Sequence, residues 1–438
     1  MASAFSAARR SAAGRRPVRV LKFGGTSMGT TPERLARIAG IVAEAHRRGG
    51  VVAVVSARGD STDRLIDEAR TANALPPGRE LDQLLATGEA RSAALLAMAL
   101  HGVGVPAVSL LGAQAGVSVS GRHTDGRIRD IDTARVREAL ARGDVAVVAG
   151  FQGLNAAGDV TTLGRGGSDT SAVALAVALG ADGCEIYTDV DGIYSADPRI
   201  VPDARLIPVV RNSVMAEMAY AGARVLHTRS VELAGRAGLD IHVRSAFNHR
   251  PGTVVVPEPE GADTAVLETE DRVVAVSHEP GNARVTIVAV SPDVPLRGTE
   301  VLALLADVSV PVDVMTRFTD RSGRHGWDFT VPADDVDTVT SLLTTLPGSL
   351  AVDAAVAKVS VVGAGLMSDP RTMGRMLNAL LATGIDPLSM ATSQSRISAT
   401  VPETDCARAV AVLHEEFLSG PLLHEAMRPQ TVAAGPRI

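Results

Sequence analysis

From Val18 to about Val243, short apolar runs alternate with stretches whose apolar residues recur at helical spacing. Apolar runs at 18–23, 51–55, 105–111, 145–150 and 184–187 predict strands. The run at 51–55 is apolar throughout, as in a strand buried on both faces. Helical spacing predicts helices over 32–48, 63–71, from Glu80 onward, over 133–142 and just after Asp169, then over 215–220 and 223–237. A polar region, 118–129, separates two of the strands. This alternation predicts a doubly wound, mainly parallel α/β sheet.

The pattern changes after Val243. Pro251-Gly252, a β-branched run at 253–256 and Pro257-Glu258-Pro259-Glu260-Gly261 close the first domain, placed at 17–262. Two shorter cycles follow, at 270–346 and 355–420. The first has strands at 273–276, 285–290, 310–314 and 327–331 and helices at 300–305 and 336–343. The second has strands at 357–362 and 397–401 and helices at 372–382 and 406–417. Lys358-Val359-Ser360-Val361-Val362 echoes Arg284-Val285-Thr286-Ile287-Val288, which predicts tandem copies of one small α+β unit. Residues 1–16, with Arg9, Arg10, Arg15 and Arg16 and no acid, read as a disordered tail, with an organelle transit peptide as the alternative. Residues 421–438 read as a frayed tail.

Composition narrows the classes. The chain has 438 residues and a formal net charge of −6, which argues against nucleic acid as the main partner. Its apolar fraction of 46% suffices for a large core, while 3% aromatics leave little base-stacking capacity. Cys184 and Cys406 are isolated, so neither a disulfide framework nor a zinc site is indicated, and a reducing cytoplasm fits. No apolar run reaches the roughly 20 residues that span a bilayer, so no membrane partner is expected.

The chemistry concentrates at 161–199. Gly164, Gly166 and Gly167 surround Arg165, Ser168 and Asp169, and a helix follows. Glycines let backbone N–H groups approach an anion, and a helix N-terminus adds partial positive charge. Arg165 can grip a carboxylate with two parallel bonds. The next strand ends in Thr188-Asp189-Val190-Asp191-Gly192, where either acid can serve a magnesium-nucleotide or its ribose. A second strand–glycine–helix arrangement opens the chain: Lys22 at the strand exit, then Gly24-Gly25-Thr26-Ser27. It is not a P-loop, because Lys precedes the glycines. Gly88-Glu89 lies inside a helical pattern, where glycine costs about 1 kcal/mol, so close packing or ligand approach is expected at Gly88, while Glu89 reads equally as a functional group or a solvated helix residue.

These motifs resemble those of aspartate kinases, within the amino acid kinase superfamily. The matching residues are Lys22-Phe23-Gly24-Gly25-Thr26-Ser27, Ser56, Gly88-Glu89, Gly150-Phe151-Gln152-Gly153, and the stretches 161–171, 187–199 and 222–227. The C-terminal cycles resemble the paired ACT modules of the same enzymes, in which one module can be inserted into the other. The resemblance implies a three-layer αβα amino acid kinase fold followed by two ferredoxin-like ACT domains. It implies transfer of the ATP γ-phosphoryl to the β-carboxylate of L-aspartate, the first step towards lysine, threonine, methionine and diaminopimelate. ATP and Mg2+ are the implied cofactors, with no dedicated protein metal site. A homodimer or larger oligomer through the ACT modules and cytoplasmic localisation are also implied.

Carried over, Lys22 and the Gly24 and Gly25 amides face the transferring phosphoryl group, and Asp169 orients Lys22. Arg165 clamps the aspartate α-carboxylate and Glu89 takes its ammonium. Ser56, Thr62, Gly166, Gly167 and Ser168 line the substrate side. Phe23, Thr188, Asp189, Tyr194, Asp197, Arg199 and Arg224 line the nucleotide side. Asp293, Arg317, Asp386 and Gln394 are the expected effector contacts for lysine or threonine.

Four departures stand out. Arg224 replaces the usual Lys. The usual Gly-Glu-Arg becomes Gly88-Glu89-Ala90-Arg91, which swings the Arg about 100° round the helix. Arg317 stands where relatives place a Gln, and Asp386-Pro387-Leu388-Ser389 replaces Asn-Ile-Glu-Leu, with Pro387 lacking an N–H. Weakened feedback by lysine and threonine is expected. The alternatives are a kinase for a related or substituted acidic amino acid, and a non-catalytic amino-acid-sensing subunit.

Overall fold

The computed structural model describes residues 17–223, 225–258, 272–308 and 310–419. The two expected tails and Arg224 lie outside the described residues. Two compact units are present. Residues 17–194 and 205–258 form the first; 195–204 and 272–419 form the second. The expected boundaries are corrected here, because the segment Ser195–Ala204 packs with the C-terminal unit.

In chain order the first unit contains β1 (Val18–Phe23), α1 (Gly25–Met28), α2 (Pro32–Arg48), β2 (Gly50–Val55), α3 (Ser61–Ala72), α4 (Gly78–Gly102), β3 (Ala107–Leu110), β4 (Val117–Arg122), β5 (Asp125–Ile131), α5 (Ala134–Ala141) and β6 (Val145–Ala149). It continues with β7 (Gln152–Leu154), β8 (Val160–Thr162), α6 (Gly167–Leu179), β9 (Cys184–Thr188), β10 (Val209–Arg211), α7 (Asn212–Tyr220), α8 (Thr228–Ala237), β11 (Ile241–Ser245) and β12 (Thr253–Val256). The main sheet has the order β10-β12-β11-β9-β1-β2-β6-β3. All its pairings are parallel except β11 with β12. Every residue of β2 is buried, as its apolar run predicts. Each buried Val or Leu of such a strand contributes about 1.5–3 kcal/mol.

Ile38, Ala39 and Val42 of α2 and Ala93, Leu96 and Leu100 of α4 cover one face. The other carries α6, which packs on β1 and against α8. Helix α6 is apolar nearly all round and almost wholly buried, as a central helix must be.

Several connections differ from expectation. The polar region 118–129 is the hairpin β4–β5, part of a small sheet β5-β4-β7-β8. Helix α8 begins at Thr228, capped by His227, because a turn through Gly222 precedes it. In the second unit the strand expected at 310–314 begins only at Asp313, after Pro311.

The second unit comprises β13 (Arg272–Ala289), α9 (Gly298–Asp307), β14 (Asp313–Thr319), β15 (His325–Pro332), α10 (Val336–Leu343), β16 (Gly348–Ala364), α11 (Pro370–Ala382), β17 (Ser389–Ser393), β18 (Arg396–Pro402) and α12 (Cys406–Leu418). One antiparallel sheet runs β14-β15-β13-β16-β18-β17. The two modules are interleaved rather than consecutive. The first half of β13 pairs with the second half of β16, and Val276 lies in the core formed with α11 and α12. The second half of β13 belongs with α9 and α10, through Ala283, Val285 and Ile287. Irregular register at Glu279–Asn282 marks the change of module. There Lys358 bridges Glu279 (2.6 Å) and Asp313 (2.8 Å). Ala196 and Val201 complete the second module's core, and Ser195 Oγ lies 2.9 Å from His414 Nε2. Among the described residues no helix is long and apolar enough to cross a membrane.

Candidate active site

Four adjacent strands of the main sheet, β9, β1, β2 and β6, run parallel and end at one edge. Their carboxyl-end loops carry the polar groups, the usual position of a ligand crevice in an open parallel sheet. A cavity of about 300 Å³ opens there, lined by Lys22, Gly25, Ser56, Thr62, Glu89 and the loop 164–169, together with Ala57, Gly59 and Phe151. Every residue expected on the substrate side is therefore gathered in one place.

Lys22 Nζ pairs with Asp169 Oδ1, at the first turn of α6. Lys22 comes from β1 and Asp169 from far along the chain, so the pair ties the two glycine loops together.

Glu89 is buried, 3% exposed, rather than solvated on its helix. Gly88 permits this, since a Cβ there would lie 2.9 Å from Ala57 Cβ. Helix α4 thus approaches the turn after β2 closely enough for Ala57 N–H to donate to Glu89 Oε1 at 2.9 Å. Among the described residues, Glu89 Oε2 is buried without a hydrogen-bond partner. Burial pushes this carboxyl up to about 7, against the pull of the Ala57 N–H.

Arg165 lines the cavity and has no hydrogen-bond or ion-pair partner among the described residues. Its loop is held from beneath. Gly166 has φ +68, and a Cβ there would overlap the His227 ring, so only glycine serves. Burial lowers the His227 pKa, which keeps the ring neutral, and its Nδ1 accepts the Arg229 N–H. Arg229 donates to Leu163 O (2.6 Å) and Gly126 O (2.9 Å).

Asp82, wholly buried, accepts from Thr162 Oγ1 (2.5 Å) and from Thr124 N–H (3.0 Å), and it lies 2.7 Å from His123 Nδ1. Asp82, His123 and Arg229 were not singled out from sequence. An acid in the otherwise helical pattern before Gly88 was the only hint of Asp82.

The nucleotide-side expectations fare unevenly. The Phe23 side chain is fully buried in the core and stacks on Tyr187 with centroids 5.0 Å apart, so only its backbone is near the site. Gly24 N–H already donates to Tyr187 O at 3.3 Å, so it is not a free amide. Asp191 is taken by Asn248 (2.5 Å) and Arg250 (2.7 Å), which makes it a loop fastener. Asp189 is exposed and accepts from the Thr188 hydroxyl at 3.1 Å. Tyr194 pairs with Leu206 in the first unit. Asp197 and Arg199 belong to the second unit and bond to each other at 2.6 Å. None of these lines the cavity. Of the four effector candidates, Arg317 lies on edge strand β14, Asp386 and Gln394 flank β17 at the opposite edge, and Asp293 lies in the turn before α9.

A mainly parallel sheet whose glycine-walled cavity holds Lys22, Arg165, Glu89 and Asp169, in a chain that also has paired βαββαβ modules, defines an amino acid kinase with ACT-type regulation. The profile of the amino acid kinase family matches residues 17–245, and that of the ACT domain matches 359–417. Within that class the chain belongs to the aspartokinase family. It is 42% identical to an aspartokinase of Mycolicibacterium smegmatis, over 91% of this chain and 95% of the relative. E. coli aspartokinase III in complex with aspartate and ADP shares the fold, with TM-score 0.76, 24% identity, and coverage of 91% of this chain and 99% of that one. The same enzyme in complex with lysine and aspartate matches with TM-score 0.68 and 25% identity, covering 92% and 99%.

Proposed function

We propose that this chain phosphorylates the β-carboxylate of L-aspartate with ATP, giving 4-phospho-L-aspartate. The observation that carries the reading is the pairing of two opposite receptors in one cavity. Among the described residues, Glu89 presents a buried, unpartnered carboxylate oxygen and Arg165 an unpaired guanidinium. Together they suit an α-amino acid, ammonium to Glu89 and carboxylate to Arg165.

The attacking β-carboxylate is already ionised at neutral pH, so no general base is required. The task is to bring two anions into line and neutralise charge. Lys22 supplies a fixed positive charge for the transferring group, and Asp169 sets its direction. Ser56, Thr62 and Ser168 offer hydroxyls to the substrate. The β-carboxylate oxygen forms the new P–O bond as the γ-phosphorus separates from the β,γ-bridging oxygen, and ADP leaves with that electron pair.

Mg2+ would enter with the nucleotide phosphates, and Asp189, exposed at the carboxyl end of β9, is the carboxylate that would help to hold it. When bound, the ion neutralises phosphate charge. The protein's own residues do the positioning.

Regulation follows from the second unit. An effector site that joins Arg317 to Gln394 would draw on a second chain, in a homodimer or larger assembly through the modules. Arg317 and Pro387 support weakened response to lysine and threonine. The expected result is substantial activity with both at millimolar concentration; near-complete inhibition overturns that part.

The test of the activity itself is hydroxamate formation by the purified chain with MgATP, aspartate and hydroxylamine. Absence of any acyl phosphate sinks the reading.

A further inference from the structure

The displaced arginine of α4 has its own destination. Arg91 lines a second cavity, of about 290 Å³, bordered by α3 and α4. Arg58, Arg64 and Glu68 line it too. Arg58 is anchored, donating from Nε to Gly29 O at 2.6 Å and from Nη2 to Thr31 O at 3.1 Å. Arg64 pairs with Asp60 at 3.0 Å. Arg91 has no hydrogen-bond or ion-pair partner among the described residues. Burial and the facing Arg91 both lower the pKa of Arg58. Ser61 and Thr87, also on the wall, give their hydroxyl protons to Arg58 O and Leu84 O. Guanidinium N–H groups are therefore the donors left over.

We propose that this cavity is a second ligand site, binding a small oxyanion, carboxylate or phosphate, between Arg58 and Arg91. Two like charges facing one hollow repel each other, and an anion between them removes the repulsion while gaining charge-assisted bonds. Exposed Glu68 on the same wall disfavours a ligand of many negative charges, which limits the occupant to a mono- or dianion. The site adjoins the first cavity through two segments. Gly88 packs on Ala57 and Leu65, and Ala57 N–H holds Glu89. Occupancy therefore acts on the aspartate KM more than on kcat, a consequence that rests on the Glu89 role proposed above.

The test is isothermal titration calorimetry of the full chain, saturated with MgADP and aspartate, using inorganic phosphate and, separately, succinate. Saturable binding of at least one anion is expected, weakened at least about tenfold in Arg91→Ala and partly restored in Arg91→Lys. Arg91→Ala should keep the parent kcat without added anion, which verifies that it folds. A preference for phosphate or for succinate identifies the occupant's chemistry, and either supports the site. Failure of both anions to bind, or equal affinity in parent and Arg91→Ala, overturns it and leaves the kinase reading untouched.

Discussion

Lys22 Nζ lies 2.5 Å from Asp169 Oδ1, with the two side chains 12% and 11% exposed. This pair links the exit of β1 to the first turn of α6, the two places where an anion can meet backbone N–H groups. Lys22→Ala should lower kcat by about 10²–10³, the usual loss for one electrostatic donor to a transition state. Asp169→Asn should also lower kcat, with a smaller change in aspartate KM. Steady-state ADP release checks both; a Lys22→Ala enzyme turning over like its parent excludes the role.

The Glu89 carboxyl stands near 7, against an ordinary value of 4.5, because it is buried. The free enzyme needs the ionised form to receive an ammonium. For aspartate, kcat/KM should rise with pH up to about 7 and then level off. Glu89→Gln should lose that limb and fall about 10-fold to 100-fold at the plateau. Stability carries the opposite sign. Between 4.5 and about 7 the unfolded carboxyl is ionised while the native one keeps its proton, so Glu89 costs stability as pH rises through this window. Chemical denaturation across the window should give a flatter profile for Glu89→Gln.

Gly88→Ala poses two effects against each other. Alanine favours the helix by about 1 kcal/mol. The new Cβ would sit 2.9 Å from Ala57 Cβ, deep in a packed contact, and α4 would have to move away. Overpacking of this kind costs about 1–3 kcal/mol, so the steric term wins. Thermal unfolding should show a lower Tm, and aspartate KM should rise as the Ala57–Glu89 bond lengthens. An unchanged or higher Tm contradicts the close approach.

Asp82 touches neither cavity wall, yet it ties the tip of the β4–β5 hairpin to the strand that leads into the Arg165 loop. Asp82→Ala should strand Thr124 N–H and Thr162 Oγ1, at about 1–3 kcal/mol each. It should raise aspartate KM more than it lowers kcat, with Asp82→Asn in between. Equal kinetics in parent and Asp82→Ala mean that the loop holds itself.

How much of this was legible from residues alone depended on range. The fully apolar run of β2 and the Gly-Arg-Gly-Gly-Ser-Asp loop announced the sheet and the cavity, because their signals are local. Glycine spacing and charge marked Lys22 and Arg165 as candidates, whereas the roles of Glu89 and Asp169 came from the resemblance to aspartate kinases. Asp82 could not, since its partners are Thr124 and Thr162, about 40 and 80 residues away. The hairpin 117–131 hid behind its polarity: its residues are mostly exposed, so no apolar run marks it. Phe23 misled because its motif neighbours line the site while its own ring fills the core. The interleaving of the modules was equally invisible, since β13 is one continuous strand that serves two cores.

Ser195–Ala204 leaves the first unit after Tyr194, lends Ala196 and Val201 to the other core, and returns before Leu206. The gene is therefore not a string of two exchangeable cassettes. A recombination joint placed just past Val256 would deliver a foreign C-terminal half that must accept this native ten-residue wedge. A C-terminal half expressed by itself would fold around a missing plug. Grafted chimaeras should work only when the wedge and the module that receives it travel from the same parent.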